Sequence, residues 1–506
     1  MGDLSSLEKL RTCGPIEKYS TARHHLGFYK NVGVIATYSN PSTTTPLEAT
    51  IYAAVAKVIS AHPILSAIAL SEDTNDAHYA RLPSVDLKTS VRFVERKSSI
   101  PGDGVADIEL DAILEDEHNR DFKFETIPIP NWRLIVLSEP GSSKNFTAAF
   151  IFHHALGDGK SGLNFHRTLL SALQSLPSTL EDVETIVQSL DTPLLPPLEQ
   201  LHPLPLGIFY IFQQLWNDFW PTTTPTRWTG RDLCIPSSST PYIAKFRHIA
   251  LSKATTSTLL TLSRKNKTTL QGTLETLLAA TIILNLEEGK YDRLSVVGAI
   301  SLRPLLLPPP GSSTTQEEIQ NGMGVYVSKY SYEHHYPSSL PLATSSSSNA
   351  TPTPQPKAID LFSWDEARKV REAITLELEK KGRNTATGLL RWVSDIPKFF
   401  REKVGKVRED SFELSNIGVF SALPGKAEGE NVVEGTWEVG RVVFSQSASV
   451  MGQPIQCCVA SGGDGCAVVG FSWFEEVVNV GGGERLIERV VESFEESIED
   501  LVKRET

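Results

Sequence analysis

The sequence predicts an α+β fold arranged in two halves. The chain has 506 residues, which fits two halves of roughly 200–250 residues that share a large interface. The strand-like runs 132–137 and 146–152 flank the turn 139–142, and this arrangement predicts an antiparallel hairpin. Neither Gly-x-Gly-x-x-Gly after a strand nor a Walker A loop is present. Mixed strands and helices with antiparallel hairpins therefore favour α+β layers over a doubly wound nucleotide-binding sheet.

The elements of the first half follow from hydrophobic period and from prolines. The run 32–38 is rich in β-branched residues and predicts a strand. Thr45-Pro46 opens a helix, because proline is tolerated in a first helical turn, and Pro63 ends it. In chain order we predict a short helix over 6–23, the strand 32–38, the helix after Pro46, a helix over 107–120, the two hairpin strands and a helix from Gly159 to Leu173.

The second half repeats this style after a Pro-, Ser- and Thr-rich crossover. We predict strands at 245–251, 294–301, 323–330, 411–420, 437–450, 454–460 and 467–474, and helices at 268–286 and 484–501. The serine-rich tract 338–357 cannot bury much apolar surface, so we expect a disordered surface insertion there. The predicted organisation is a first half over 1–190, a linker over 191–243 and a second half over 244–506.

Charge and cysteine content exclude several classes of protein. The formal net charge is −12 and the pI is near 5.6, which argues against a nucleic-acid-binding protein. The five cysteines are too few and too scattered for a disulfide framework, and no Cys-x-x-Cys pair indicates a zinc site. We therefore expect a cytoplasmic protein that holds no metal.

One segment leaves the question of membrane contact open. No apolar run reaches the ~18 residues of a transmembrane helix. The aromatic-rich run 206–220, however, is bounded by prolines and could form a helix that lies on a membrane interface or one that packs against the rest of the protein. Of the two, the composition favours a helix that packs against the rest of the protein.

The sharpest local pattern is His153-His154-x-x-x-Asp158-Gly159, between a predicted strand and a predicted helix. This pattern is expected by chance on the order of 0.001 times in a chain of this composition. A histidine at a strand end can point into a cleft, and Gly157 and Gly159 let the backbone bend and approach a substrate. The position predicts a catalytic turn.

The residues of this turn allow several interpretations. A neutral imidazole at His154 suits a general base that takes a proton from a hydroxyl or an amine. Asp158 could orient the histidine as in a triad, or fold back as an ion-pair partner that fixes the loop. Alternatively, both histidines are satisfied core residues and Asp158 is a helix N-cap. A metal site of two histidines and Asp158 lacks ligand-spacing support.

Together with other motifs, this turn resembles a known superfamily. His153-His154-x-x-x-Asp158-Gly159 resembles the active-site motif shared by chloramphenicol acetyltransferase, BAHD acyltransferases and peptide-synthetase condensation domains. Within that superfamily the chain looks most like the fungal alcohol acetyltransferases. The supporting segments are Gly14 to Tyr19, Ala22-Arg23, Tyr29 to Val32, Ser301-Leu302-Arg303-Pro304, Asn321-Gly322-Met323-Gly324 and Leu414 to Gly418. These matches span nearly the whole chain, apart from the serine-rich tract.

The resemblance implies two similarly folded halves with a channel between them and the second histidine at its midpoint. It implies that His154 is the general base, that Asp158 pairs with Arg303, and that His153, Gly157 and Gly159 support the turn. Candidate channel or CoA-side residues are Asn321, Gly322, Asn416 and Gly418. Where BAHD enzymes carry Asp-Phe-Gly-Trp-Gly, this chain has Asn416-Ile417-Gly418.

The expected activity is transfer of acetyl from acetyl-CoA, used as a co-substrate, to a small alcohol without an acyl-enzyme. Three alternatives are N-acetylation of a long-chain amine such as a sphingoid base, condensation with a carrier-bound acyl donor, and a non-catalytic binding module. We expect a monomer that binds no nucleic acid, and peripheral contact with the endoplasmic reticulum or lipid droplets is an open possibility.

Overall fold

The computed structural model describes residues 4–123, 128–177, 179–180, 182–219, 224–233, 241–337, 356–421, 436–481 and 483–505. Its strands are β1 Lys9–Thr12, β2 Val32–Ser39, β3 Ala67–Leu70, β4 His78–Arg81, β5 Ser84–Asp86, β6 Val91–Glu95, β7 Trp132–Ser138, β8 Asn145–Phe152, β9 Ile186–Gln188, β10 Ala244–Leu251, β11 Arg293–Ser301, β12 Val327–His335, β13 Phe412–Val419, β14 Glu438–Gln446, β15 Ile455–Ser461 and β16 Ala467–Phe474.

The α-helices are α1 Pro15–His25, α2 Leu47–Ala61, α3 Leu87–Ser90, α4 Ile108–Asn119, α5 Gly159–Gln174, α6 Leu198–Leu201, α7 Ile208–Phe219, α8 Lys253–Lys265, α9 Leu270–Leu284, α10 Gln316–Asn321, α11 Ala358–Leu361, α12 Trp364–Glu379, α13 Ala386–Leu389, α14 Ile396–Arg401, α15 Glu475–Val478 and α16 Leu486–Glu505. Short 3-10 turns lie at Leu4–Ser6, Pro63–Ser66, Arg303–Leu305 and Leu390–Trp392.

Besides a three-stranded and a two-stranded sheet, the described residues form two large mixed sheets with helices packed on them, which confirms the predicted α+β class. One has the order β14-β2-β8-β7-β6, and the other has the order β10-β16-β15-β13-β11-β12. The predicted hairpin is present: β7 and β8 pair antiparallel, with Trp132 opposite Phe152. Helices α2 and α5 pack on the first sheet, and α9, α12 and α16 belong to the layer on the second. Strand β16 is buried along its whole length and β8 along all but its first residue, because both faces of the sheets are covered there.

Strand β14 belongs to the second half of the sequence but completes the sheet of the first half. It pairs antiparallel with β2, with Gln446 opposite Val32. The Tyr29 hydroxyl, just before β2, donates to Gln446 Oε1 at 2.8 Å. A separate apolar cluster between the two sheets includes Ile35, Phe246 and Val468. The division of the sequence at 190 and 243 stays a prediction. The sheets do not follow this division, because β14 comes from the second half of the sequence and belongs to the sheet of the first half.

Three local expectations were wrong: the helix over 6–23, the strand at 323–330 and the packing of the segment 206–220 against the protein. Residues 6–23 do not form one helix, because β1 pairs with β4 and the helix begins only at Pro15, where proline fits the first turn. The strand predicted at 323–330 begins at Val327, since the backbone of Gly324 and Tyr326 bonds the catalytic turn instead. The tract 338–357 falls, except for its last two residues, outside the described residues.

The third difference concerns α7, which does not pack its apolar face against the protein. Its exposed apolar residues are Ile208, Phe209, Phe212, Leu215 and Trp216. Phe209 is 86% exposed, so the favoured interpretation of this segment was wrong. Among helices of the described residues, none is long and apolar enough to cross a membrane.

Candidate active site

Residues 153–158, which form the turn predicted to be catalytic, join the end of β8 to the start of α5. We call this segment the catalytic turn. Central strand β8 ends at Phe152, and the next amide, His153 N–H, donates to the carbonyl of Asn131 at 2.9 Å. Asp158 is the N-cap of α5, because its carboxylate accepts from the Ser161 N–H at 2.8 Å. The turn is therefore fixed by a sheet on one side and by a capped helix on the other.

The two histidines of the motif have different surroundings. His153 is fully buried, whereas His154 keeps part of its surface accessible. The Nδ1 of His154 lies 3.1 Å from the carbonyl oxygen of Gly157, which fixes the proton on Nδ1 and leaves Nε2 as an acceptor. Burial, and then the positive charge of Arg23, lower the pKa of His154 to about 4. At neutral pH the imidazole therefore has a free lone pair.

Asp158 faces away from His154 and pairs with Arg303. The Nη2 of Arg303 donates to Asp158 Oδ1 at 3.0 Å, and both side chains are buried. The second carboxylate oxygen accepts from the Tyr326 N–H at 3.1 Å. Burial opposes ionisation of Asp158, but Arg303 and these N–H donors outweigh it and hold its pKa below the ordinary value. Because His154 bonds Gly157 instead, the geometry favours the ion pair over a triad.

Ser161 is the central residue of this polar cluster, and sequence analysis missed it. Its hydroxyl lies 2.9 Å from Asp158 Oδ1, 2.8 Å from Arg303 Nη2 and 2.9 Å from the Gly324 carbonyl oxygen. The sequence feature that could have identified Ser161 is its position three residues after the N-cap Asp158, where the partner residue of a capping box lies. Ser161 links the turn to the segment before β12, in the other half of the chain.

Gly157 and Gly159 are required by packing. A Cβ on Gly157 would lie 2.5 Å from Ser161 Cβ, and one on Gly159 would lie 2.4 Å from Ile417 Cγ2. Neither glycine has a positive φ. The backbone of the turn is pressed against its neighbours, and this close packing, more than conformational freedom, excludes a side chain at both positions.

The four candidate channel residues lie on two segments next to the turn. The Gly322 carbonyl accepts from Asn164 Nδ2 at 3.0 Å and from Arg303 Nη1 at 3.3 Å, while half-buried Asn321 ends α10. The Asn416 side chain accepts from the Gly418 N–H at 2.8 Å, and Gly418 has φ +80°, which suits glycine.

The segment 416–418 also contacts the first turn of α5. The Lys160 ammonium donates to the carbonyl of Ile417. Burial, and then the positive charge of Arg167, lower the pKa of Lys160. This contact brings the segment aligned with the BAHD motif to the N-terminal end of α5.

Arg23 belongs to a segment that supports the resemblance, but it was not predicted as a site residue. Its guanidinium carbon lies 4.5 Å and 4.6 Å from the ring centroids of Tyr19 and Tyr29, so the cation is held between two aromatic faces. The Tyr29 ring in turn lies 5.7 Å from the ring of His154. Within the described part of the chain, the buried Nε of Arg23 has no hydrogen-bond partner. The positive charge of Arg23 is one of the causes that lower the pKa of His154.

The residues that could hold a metal ion differ from those considered in the sequence. Side-chain ligand atoms of His24, Glu72 and His153 lie within 4.8 Å of one another. The remaining nitrogen of each ring accepts a backbone N–H, from Phe122 at 3.1 Å and from Ala155 at 2.9 Å. A cation would therefore have to displace the only proton of each imidazole, and the donor set fits a hydrogen-bonded cluster better.

Comparisons with known proteins point to one family. The family model for alcohol acetyltransferase matches residues 113–270, which include the turn. The chain is 32% identical to the "Probable alcohol acetyltransferase crmB" of Aspergillus fumigatus over 497 residues, covering 95% of this chain and 98% of the relative. It is 25% identical to the "Probable alcohol acetyltransferase FCK4" of Fusarium pseudograminearum, covering 93% and 91%.

Solved structures with the same fold come from acetyltransferases and condensation domains. TRI3 trichothecene 15-O-acetyltransferase from Fusarium sporotrichioides superposes with a TM-score of 0.66 at 12% identity, over 96% of this chain and 94% of that one. The condensation domain of the monacolin K polyketide synthase MokA gives 0.56 at 11% identity, over 98% of both chains. With the near full-length relative at 32% identity, the chain belongs to the alcohol acetyltransferase family and is an acyltransferase.

Proposed function

We propose that the protein transfers an acetyl group from acetyl-CoA to the hydroxyl of a small-molecule alcohol, with His154 as general base. The observation that carries this is the partly exposed His154, whose Nδ1 bonds the Gly157 carbonyl and whose Nε2 is thereby left as the proton acceptor. A histidine with a pKa of about 4 is neutral at physiological pH, so it can accept a proton from the acceptor.

The reaction balances without a covalent enzyme intermediate. His154 Nε2 takes the hydroxyl proton while the acceptor oxygen attacks the thioester carbonyl carbon. The C–S bond of the tetrahedral intermediate then breaks, and the proton passes from His154 to the leaving sulfur, which gives an ester and free CoA. Cys13, Cys457, Cys458 and Cys466 are buried, and burial raises the pKa of each thiol, so none of these four is suited to act as a nucleophile.

The negative oxygen of the intermediate needs hydrogen-bond donors near the turn. The Asp158 N–H is already used, because it donates to the Gly324 carbonyl at 3.2 Å. Gly159 lies in the first turn of α5, where an N–H has no intrahelical acceptor. Its N–H is our candidate donor.

The test is thiol release from acetyl-CoA by purified protein with a panel of alcohols and amines. We expect ester formation that depends on both substrates, and a turnover roughly 10²–10⁴-fold lower in His154→Ala. His153→Ala serves as the matched control from the neighbouring position and should reduce turnover less. Near-normal turnover in His154→Ala would remove the base assignment. If only amide products form, the acceptor is an amine and the proposed alcohol acceptor is wrong. If mass spectrometry detects a stable acetyl group on the protein, direct transfer is contradicted.

We also propose that α7 binds an anionic phospholipid surface. Its exposed face carries the aromatic side chains Phe209, Phe212 and Trp216, which are typical of interfacial helices. The segment just before α7 is hydrogen-bonded to a segment that carries exposed arginines: the Arg391 guanidinium donates to the Pro203 carbonyl at 2.8 Å. Arg383 and Arg391 are exposed there, and Trp392 is 69% exposed. Apolar rings beside cations complement an acidic lipid surface despite the overall charge of −12.

Vesicle flotation tests this proposal. The protein should float with phosphatidylserine-containing vesicles more than with phosphatidylcholine alone, and the double change Phe209→Glu and Phe212→Glu should abolish flotation. Ile108→Glu is the control, because that isoleucine is 80% exposed on α4. Equal flotation of the double variant would overturn the assignment. The protein could instead fail to float and form a concentration-dependent dimer that the double variant lacks. That result would show that α7 binds a second copy of the chain and not lipid.

A further inference from the structure

Two buried histidines and Glu72, whose side chain is 13% exposed, form a cluster next to the catalytic turn that is not part of the proposed reaction. Glu72 Oε2 lies 2.7 Å from His24 Nδ1, and Glu72 Oε1 lies 3.2 Å from His153 Nε2. The rings of His24 and His153 meet edge to face, with centroids 4.3 Å apart. The three residues come from α1, from the turn after β3 and from the end of β8, so the cluster joins three distant parts of the first half.

Hydrogen bonding fixes the tautomers of both rings. His24 Nε2 accepts the Phe122 N–H, so the proton is on Nδ1 and points at Glu72. His153 Nδ1 accepts the Ala155 N–H, so its proton is on Nε2, the nitrogen that lies 3.2 Å from Glu72 Oε1. Burial opposes ionisation of Glu72, but the two histidines outweigh it and lower its pKa to about 2. The carboxylate therefore accepts the His24 N–H and makes a longer, less well aligned polar contact with the His153 N–H.

The backbone before Glu72 is held in an unusual conformation. Ser71 has φ +56°, in the left-handed region that non-glycine residues seldom occupy. Such conformations persist where surrounding contacts determine them. The carboxylate of Glu72 is thus directed inward at the expense of backbone strain in a tight turn.

We propose that Glu72 is a positioning residue that sets the orientation of the catalytic turn through His153; this rests on the proposed function. Glu72 holds the His153 ring, and that ring accepts the N–H of Ala155, the residue that directly follows the base. His154 lies between these two anchored positions. A shift of its ring by a fraction of an ångström misaligns Nε2 with the acceptor hydroxyl.

The chain offers a matched control for this arrangement. His248 accepts the Asp107 N–H on Nε2 at 3.1 Å and pairs through Nδ1 with the carboxylate of Asp111. This histidine and carboxylate are also buried, but they join α4 to β10 and not to the turn. Asp111→Asn therefore removes the same kind of interaction at another place.

The experiment compares Glu72→Gln with Asp111→Asn in kcat, KM for acetyl-CoA, melting temperature and ¹⁵N-histidine spectra. Glu72→Gln should lower kcat roughly 10–100-fold with KM within about twofold, because misplacement affects the reacting geometry more than CoA binding. It should also shift the His153 Nε2 signal, assigned with a His153→Gln variant. Asp111→Asn should lower the melting temperature while leaving kcat and that signal unchanged.

Equal kcat losses in the two variants, or an unchanged His153 signal, would overturn the positioning role. If Glu72→Gln does not fold, Glu72→Asp keeps the charge at a shorter reach and should show an intermediate kcat. Normal kcat in that variant would also overturn the proposal. The spectra do not depend on activity, so they test the inference even if His154→Ala shows that the proposed base is wrong.

Discussion

The Asp158 carboxylate serves two structural purposes: it caps α5 and it accepts the guanidinium of Arg303 from the other half of the chain. Both partners are buried, with side-chain exposures of 3% and 5%. Removing either charge leaves the other uncompensated in a medium that solvates it poorly. Stability and catalysis are therefore coupled at this residue.

We expect Asp158→Asn and Arg303→Gln each to lower the free energy of unfolding by roughly 3–5 kcal/mol. The double variant should lose less than the sum, because the second change removes a charge that the first left unpaired. Denaturant unfolding of the four proteins measures this coupling. Additive losses would contradict the pairing, and an Asp158→Asn protein of normal stability without activity would favour the triad interpretation.

Arg23 leads to a prediction about pH. Its charge opposes protonation of His154, whose pKa is about 4. Arg23→Gln should raise this pKa, so the acidic limb of the kcat/KM profile should move to higher pH while activity on the alkaline side is retained. An unchanged limb would mean that Arg23 does not act on the base. Lys18→Gln, also on α1, is a suitable control because it removes a half-exposed charge from the same helix.

At the scale of elements, helix α5 and the segment 416–418 approach each other through Gly159. The position leaves no room for a methyl group, since Ile417 Cγ2 and Phe444 Cζ would lie 2.4 and 3.1 Å from an added Cβ. The first turn of α5 therefore depends on its neighbours in the other half of the chain.

Gly159→Ala should lower the melting temperature and turnover together, because overpacking costs ~1–3 kcal/mol and displaces the turn. Gly141→Ala is the control for the loss of a glycine, since nothing lies within 4 Å of its added Cβ, although its φ of +64° will add some strain. Pairing Gly159→Ala with Ile417→Ala should restore part of the stability. No change in either measured quantity would show that the contact can relax.

Sequence patterns located most elements, because helices such as α5 and α16 carry their own hydrophobic period and strands such as β8 are largely apolar runs. They failed where pairing is non-local. Strand β1 has four residues and exists through β4, and the backbone of Gly324 serves the turn rather than a strand.

Within the site, the motif located His154 and Asp158, and the resemblance located Arg303. Glu72 carries no local pattern, and Arg23 was part of a supporting segment without a role, because only the folded chain brings these two residues beside the turn. Whether an apolar helix face such as that of α7 is covered is likewise a tertiary property, which composition does not report.

At the scale of the whole molecule, several buried histidines make stability depend on pH. Burial lowers the pKa of His62, His154 and His166 to about 4 and that of His118 to about 3. In the unfolded chain these groups titrate near ~6.5, so between that pH and about 4 the unfolded state binds more protons. The stability contributed by their neutral forms is therefore present above that pH and is lost as the pH falls through this window.

We expect the melting temperature to decline steadily from pH 7 to pH 5, at a constant ionic strength. The carboxyl groups of Glu72 and Glu366, with pKa values of about 2, act in a lower window and do not explain a loss above pH 5. His166→Gln should flatten the decline. A melting temperature that is constant from pH 7 to pH 5 would contradict the assignment of neutral buried histidines.

The pairing of β14 with β2 also determines which pieces of this gene can be expressed or exchanged. A fragment that ends before residue 436 would leave the apolar strand Val32–Ser39 as an open sheet edge, which is a template for aggregation. Chimaeras that swap acceptor specificity between relatives should therefore carry residues 436–447 together with the N-terminal part, and a split enzyme cut near residue 243 should regain solubility only when both pieces are made together.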